Sequence, residues 1–526
     1  MQKDNLKKSD IMAIHKPNQR NQLKVFLWGR EIGTLTWVQD RHLAYFHFSD
    51  EYFRQEYDLC PITHPKNEPE THFAIYGEST KSPDPESKIY QGLPPFLADS
   101  LPDNWGNAIF DNWFEEKGLH ASDKNALTKL SFIGNRAMGA FEFHPMMDKN
   151  FYEDKKVNLK ELYEESLSIE QQLRNKSISN KKATIESIAA LGTSPGGSQK
   201  KAIISIAPDG TYHSGKIIPD PSWRNCIIKF NTEEYTLAEI EKTYYDLAIE
   251  SGLNMTPSEL IDIDGTKHFI TERFDRVKGE KVVMQTLAAI NPEANSYEDL
   301  FWTCRKLSLP NKEMGDLFRR TVFNFLMNNT DDHKKNFSFI MGKDYSWHLS
   351  PPYDITFIIS KTGNTPERTH CMSLMGKYDN VTEEDLLTFA IQNDIRNPKK
   401  IIREIRQASL LFEDKAKENG INPYYAEMIT SRLNELGRPD KKISVEETIE
   451  EISGHTVSKI RFEKSVKGSI HVFATIDGKE RRAVVTPRKP LYKEIENKGF
   501  NSMPQKEKNQ IIRQAFPDLI SFLPHR

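Results

Sequence analysis

Residues 318–358 read FRRTVFNFLMNNTDDHKKNFSFIMGKDYSWHLSPPYDITFI, and the fold is decided by how this stretch is parsed. Met314, Leu317, Phe318, Val322, Phe325 and Leu326 recur at helical spacing, so the stretch enters on a buried helix that ends near Asn328 and Asn329. A polar loop, TDDHKKN, follows. Residues 337–341 and 345–349 then read as two short strands around Gly342, Lys343 and Asp344, and Asp354 stands just past Pro351 and Pro352.

Helix, polar loop, hairpin and acidic residue is the order in which a protein-kinase-type site presents its catalytic loop and its metal-binding aspartate. Asp331 and Asn336 are five apart, as in a kinase loop where the aspartate accepts the hydroxyl proton and the asparagine binds Mg²⁺. Asn336 and Asp354 are oxygen donors, which suit an ion that keeps several waters and bridges phosphates. Asp-x4-Asn recurs by chance about once or twice in a chain this long, so the weight rests on the surrounding frame.

Upstream, the order continues to fit. The strand CIIKF offers Lys229 to the α/β-phosphates, and the helix LAEIEKTYYDLAIE offers Glu241, twelve residues on, to orient it. Ile227, Ile228 and Phe230 mark a buried strand, where an unpaired ammonium would be costly. SPGGSQKK (residues 194–201) offers small residues, Ser194, Gly196, Gly197 and Ser198, whose backbone N–H groups can cradle phosphate, and a phosphate on Ser194 could pair with Lys200 or Lys201 or pull the loop away. No G-x-x-x-x-G-K-[ST] occurs, which disfavours a Walker-type ATPase.

SPGGSQKK, IIKF, TERFDR, TDDHKKNFSF and PPYDI, preceded by VFLWGREIGTL and FIGNRAMGAFEF, together resemble the HipA family of serine/threonine-protein kinases, toxins of bacterial toxin–antitoxin modules, over about residues 23–440. The resemblance implies ATP and Mg²⁺ as cofactors, Asp331 as catalytic base, Asn336 and Asp354 as metal ligands, and Lys229 as the phosphate lysine. It also implies Glu272 and Phe274 at the adenine-side hinge and Ser194 as the autophosphorylation site. The implied partners are a separately encoded helix-turn-helix antitoxin, with DNA reached only through it, and a protein substrate, plausibly of the translation machinery. Asp332 stands where some members carry a small residue. This adds a second carboxylate beside the reaction centre, with a possible effect on metal stoichiometry.

The rest of the chain bounds this reading. Its 526 residues carry 72 basic against 75 acidic side chains, so no global field draws it to nucleic acid or an anionic membrane. Mean hydropathy is −0.63, and no stretch approaches the 18 apolar residues of a membrane span, while the first 22 residues lack a signal-peptide pattern. Four scattered cysteines form no C-x-x-C pair, which fits a reducing compartment and a cytoplasmic protein. His333 has no second histidine at ligand spacing and reads as a loop-ordering residue.

The expected fold is α+β: a two-lobed protein-kinase-like fold with an N-terminal β-rich subdomain, a mainly helical C-lobe and a small C-terminal α/β appendage. The expected divisions are a flexible N-terminus (1–22), an N-terminal subdomain (23–145), an exposed helical connector (146–190), an ATP-binding lobe (191–275), a helical catalytic lobe (276–440) and the appendage (441–526). The appendage holds 17 basic and 11 acidic residues and a hairpin turning at Asp477 and Gly478. Two rival readings remain open, a kinase-like scaffold acting as co-repressor and a small-molecule kinase, because catalytic residues do not encode the acceptor.

Overall fold

The computed structural model describes residues 21–84, 86–120, 123–147, 155–175, 199–214, 220–231, 236–360 and 363–437, with the backbone of four strands between 450 and 485. Contacts divide it into two compact units, Met1–Arg438 and Pro439–Arg526.

The first unit opens with an antiparallel sheet of β1 (Gln22–Leu27), β2 (Arg30–Val38), β3 (Leu43–Phe48), β4 (Ile75–Tyr76) and β5 (Phe141–His144), ordered β4-β3-β2-β1-β5. Alternation in QLKVFL turns Leu23, Val25 and Leu27 inward. Trp28 and Gly29 both take positive φ, which matches the twist of a two-residue hairpin between β1 and β2. The helix Ala126–Ile133 packs on β1 and β5, and the helix Asn104–Glu116 precedes it. The latter is capped by Asp103, which accepts from the Gly106 N–H at 2.6 Å, and it buries Ile109, Phe110, Trp113 and Phe114.

The second sheet is also antiparallel, with β6 (Lys201–Ile206), β7 (Tyr212–Ser214), β8 (Arg224–Lys229), β9 (Ser258–Ile263) and β10 (Thr266–Glu272) in the order β7-β6-β8-β10-β9. The helix Leu237–Glu250 packs beside β9 and β10 and buries Ile240, Tyr244, Leu247 and Ala248, with Tyr244 reaching Phe323 and Phe357 of the helical lobe. A small ribbon, β11 (Arg276–Val277) and β12 (Glu280–Lys281), leads into β13 (Val283–Thr286), which pairs with β14 (Ser338–Met341), and β14 pairs on its other edge with β15 (Trp347–Leu349). The hairpin read from the sequence thus gains a third strand, contributed from 55 residues upstream of β14. Helices Tyr297–Lys306, Asn311–Leu326, Glu383–Gln392, Pro398–Ser409, Phe412–Asn419 and Pro423–Glu435 build the rest of the lobe.

One apolar core runs through this whole unit, from Leu23 to Leu433. The expected connector is not simply exposed, because its helix Leu159–Asn175 buries Leu162, Ser166 and Ile169. In the second unit β16 (Glu450–Ile452), β17 (His455–Lys464), β18 (Ile470–Ile476) and β19 (Lys479–Val485) form an antiparallel sheet in chain order. The expected hairpin is β18 with β19, paired from Ile476 and Lys479 outward, and any helical share of the appendage lies outside the described residues.

Candidate active site

Register sets the upper wall of the cleft. Lys229 on β8 stands directly across from Lys201 on β6 and from Phe269 on β10, so the three side chains share one face of the sheet. Two neighbouring buried ammonium groups require counter-charge. Lys229 is met by Glu241 at 2.5 Å from the helix Leu237–Glu250 and by Asp354, while Lys201 is met by Asp103 at 2.9 Å. Burial works against the Lys229 ammonium, but Asp354 and Glu241 outweigh it and hold its pKa above the ordinary lysine value. Burial alone would raise Asp354; Lys229 and Lys201 overcome it and bring its pKa to about 2, so this carboxylate is ionised at neutral pH. Burial raises Glu241, with Lys229 opposing.

The lower wall is the loop after the helix Asn311–Leu326. Its frame is tied down at several points: the Asn336 Nδ2 donates to the Asp331 carbonyl at 2.6 Å, the Asn336 N–H to the His333 carbonyl at 2.8 Å, and the Tyr353 hydroxyl to the Lys335 carbonyl at 2.7 Å. Arg320, 1% exposed, reaches from the helix to donate to the Asn336 carbonyl at 2.6 Å and lies 4.2 Å from the Phe337 ring centroid. Asp331 is left with its carboxylate 41% exposed, 3.6 Å from His333 Nε2. Burial raises its pKa above the ordinary carboxylate value, with Asp354 and Asp332 adding to the shift and His333 opposing it.

Asp332 behaves differently from the sequence-based expectation. Its side chain is fully buried and accepts from the Tyr297 hydroxyl at 2.6 Å, His370 Nδ1 at 2.8 Å and the Cys371 N–H at 2.8 Å. Its oxygens are committed beneath the loop, so Asp332 anchors the loop and adds no ligand at the reaction centre. The network continues from Asn324 to Tyr297 and from Asn329 to Asn324.

Against the sheet wall is a pocket of about 770 Å³, counting its open mouth, lined by the charged Lys201, Lys229, Glu241 and Asp354 and by the apolar Ile227, Met255, Phe274 and Met284, with Asp331 and Asn336 outside its lining. This combination of an apolar slot and a charged end is what a nucleotide needs. Donation from Nδ2 leaves Asn336 Oδ1 as an oxygen donor, and Asp354 keeps the oxygen that Lys229 does not hold. Among the described residues no three His, Cys, Asp or Glu side chains gather to hold a metal. Two hard oxygens fit Mg²⁺, which completes its shell with water and phosphate, and do not form a cage for a resident ion.

A model of the HipA-like C-terminal domain matches residues 193–411, and a model of the HipA N-terminal domain matches residues 23–144. The chain belongs to the HipA family. Among similar proteins, a Haemophilus influenzae protein named "Putative kinase" is 30% identical over 159 residues, 26% of this chain and 45% of the relative. A Sinorhizobium fredii protein of like name is 26% identical over 137 residues, 23% of this chain and 32% of the relative. The chain therefore spans less than half the length of these curated relatives. A chain in the structure of the Shewanella oneidensis MR-1 HipA, HipB and operator DNA complex superposes with a TM-score of 0.53 at 18% identity, covering 79% of this chain and 95% of that one, which is a likeness of fold.

In this HipA-family chain the structure brings Lys229, Glu241, Asp354, Glu272 and Phe274 to one pocket lining; Asp331 and Asn336 lie outside that lining, on a loop whose Asp331 feels the charges of Asp354 and Lys229. The Glu272 side chain is bound to Arg224 at 2.6 Å, and Phe274 packs 5.4 Å from Tyr353. Ser194, Gly196, Gly197 and Ser198 lie outside the described residues. The two lysines that follow that loop are already engaged, Lys200 with Glu170 at 2.5 Å and Lys201 with Asp103. Sequence reasoning missed Arg320, although an arginine flanked at helical spacing by Leu317 and Phe323 is a visible anomaly. It also missed Asp103, which has no local signal beyond its capping role.

Proposed function

We propose that the protein is an ATP- and Mg²⁺-dependent serine/threonine protein kinase of HipA type. The observation that carries this reading is the Lys229–Glu241–Asp354 cluster in the pocket lining, with Asp331 of the neighbouring loop close enough to feel the charges of Asp354 and Lys229. In it Lys229 positions the triphosphate, Glu241 fixes Lys229, and Asp331 accepts the acceptor hydroxyl proton, its raised pKa making it a better base than an ordinary carboxylate. Asn336 and Asp354 would hold Mg²⁺, which supplies charge neutralisation at the transferring phosphoryl group. Catalysis then comes mainly from positioning and fixed charge.

Family membership and the fold shared with a chain solved beside HipB and operator DNA support a small helix-turn-helix antitoxin as partner, with DNA contacted through it, and a growth-inhibiting role in the cytoplasm. Ser194 on the Gly/Ser loop is the proposed autophosphorylation site, and a protein of the translation machinery the proposed substrate class. Incubating the full chain with labelled ATP, alone and with cell lysate, beside Asp331→Asn tests this reading. Label on protein with the wild type and its loss in the variant are expected; equal labelling by the variant removes Asp331 from the base role, and label on small molecules only would favour a small-molecule kinase.

A further inference from the structure

The N-terminal subdomain reaches the nucleotide pocket at one point. Segment 136–139, from FIGNRAMGAFEF, docks on the hinge segment ERFDR through a buried charge triad. Asp275 is held between Arg273 at 2.8 Å and Arg276 at 2.7 Å, all three side chains at most 2% exposed. The triad grips the backbone on both sides of Met138: the Gly139 N–H donates to Asp275 at 2.7 Å, and Arg276 donates to the Gly139 and Ala137 carbonyls, each at 3.1 Å. Gly139 adopts φ +76°, and a Cβ there would stand 3.0 Å from the Met284 nitrogen, so this close approach requires glycine.

Clamped in this way, Met138 is 8% exposed and its side chain forms part of the pocket lining. It packs with Met284 and Ile203 in a small cluster of its own, backed by Ile227, Phe274 and Tyr353 and separate from the main core. An apolar cluster fixed by main-chain bonds at one end of a pocket whose other end is charged is a surface for the flat face of a base, and methionine thioethers pack well against aromatic faces.

We propose that the N-terminal subdomain completes the nucleotide site, with Met138 forming part of the wall that holds the base of the nucleotide. The proposal rests on the kinase reading and adds a binding residue from outside the two lobes. The pocket is thus composite: the lobes supply the phosphate end, and the docked segment supplies part of the base end. Docking of segment 136–139 consequently sets affinity for the base and leaves affinity for the phosphates unchanged.

Binding by the full-length protein separates these two ends when ATP and inorganic tripolyphosphate are titrated in the presence of Mg²⁺. Met138→Ala is expected to weaken ATP roughly tenfold, the usual scale for losing apolar contact in a pocket, and to leave tripolyphosphate unchanged. Met138→Leu keeps the volume and should bind ATP within about twofold of wild type. Equal loss of both ligands in Met138→Ala would mean a merely structural role, and unchanged ATP affinity would mean that Met138 does not touch the base; either overturns the proposal while leaving the kinase reading in place. A wild-type chain that binds neither ligand overturns both.

Discussion

The two walls of the cleft treat charge in opposite ways. On the sheet side Lys229, Lys201, Glu241 and Asp103 are nearly inaccessible, and each charge is cancelled by a partner within 3 Å. On the loop side Asp331 is two-fifths exposed, 3.6 Å from His333, and the neighbouring Asp332 is buried and held by three hydrogen bonds beneath the loop. The difference separates binding from reaction. In the proposed mechanism, charges that grip a ligand are held in place before it arrives, whereas the carboxylate that would handle a proton is left accessible with a shifted pKa.

Breaking the loop side should have the largest effect. Asp331→Asn keeps the shape and removes the base, so kcat should fall by about a thousandfold with ATP affinity unchanged, as read by labelled-phosphate transfer and a binding titration. On the sheet side Lys229→Met leaves Glu241 and Asp354 facing each other unpaired, and kcat/KM for ATP should drop about a hundredfold, most of it in binding.

Asp332 sharpens the contrast between adjacent carboxylates. Asp332→Asn cannot accept from all three of its donors, so it should lose about 1 to 3 kcal/mol of stability in denaturant unfolding. Its kcat should fall roughly tenfold with KM for ATP unchanged, because it acts through the loop.

The smallest effect is in pH dependence. Asp331 must be ionised to work and its pKa is raised, so kcat/KM should climb with pH along a limb above the ordinary aspartate value of about 3.9. His333→Ala removes the larger of the two charges, His333 and Lys229, that pull that pKa down and should move the limb to higher pH; no movement would show that His333 does not reach the base.

Much of this site was readable in the sequence because it is local. The helix Asn311–Leu326, the loop and β14 follow each other without a break, so helical spacing followed by strand signals placed Asp331 and Asn336. Lys229 was readable as a lysine inside an apolar strand. Asp332 was misjudged because nothing near it in sequence announces Tyr297, 35 residues upstream, or His370, 38 downstream. The third strand β13 was missed for the same reason, since its partner begins 52 residues after it ends.

By itself the sequence determined the local elements around the site, the helix Asn311–Leu326, the loop after it and the hairpin, because periodicity, turn residues and spacing act over a few residues. Tertiary structure alone decided that Lys201 stands across from Lys229, that Asp103 answers it, that Asp332 turns inward, and that Met138 enters the pocket. Each of these depends on strand register or on a buried charge finding its partner at long range, and burial makes those pairings compulsory without writing them into either segment.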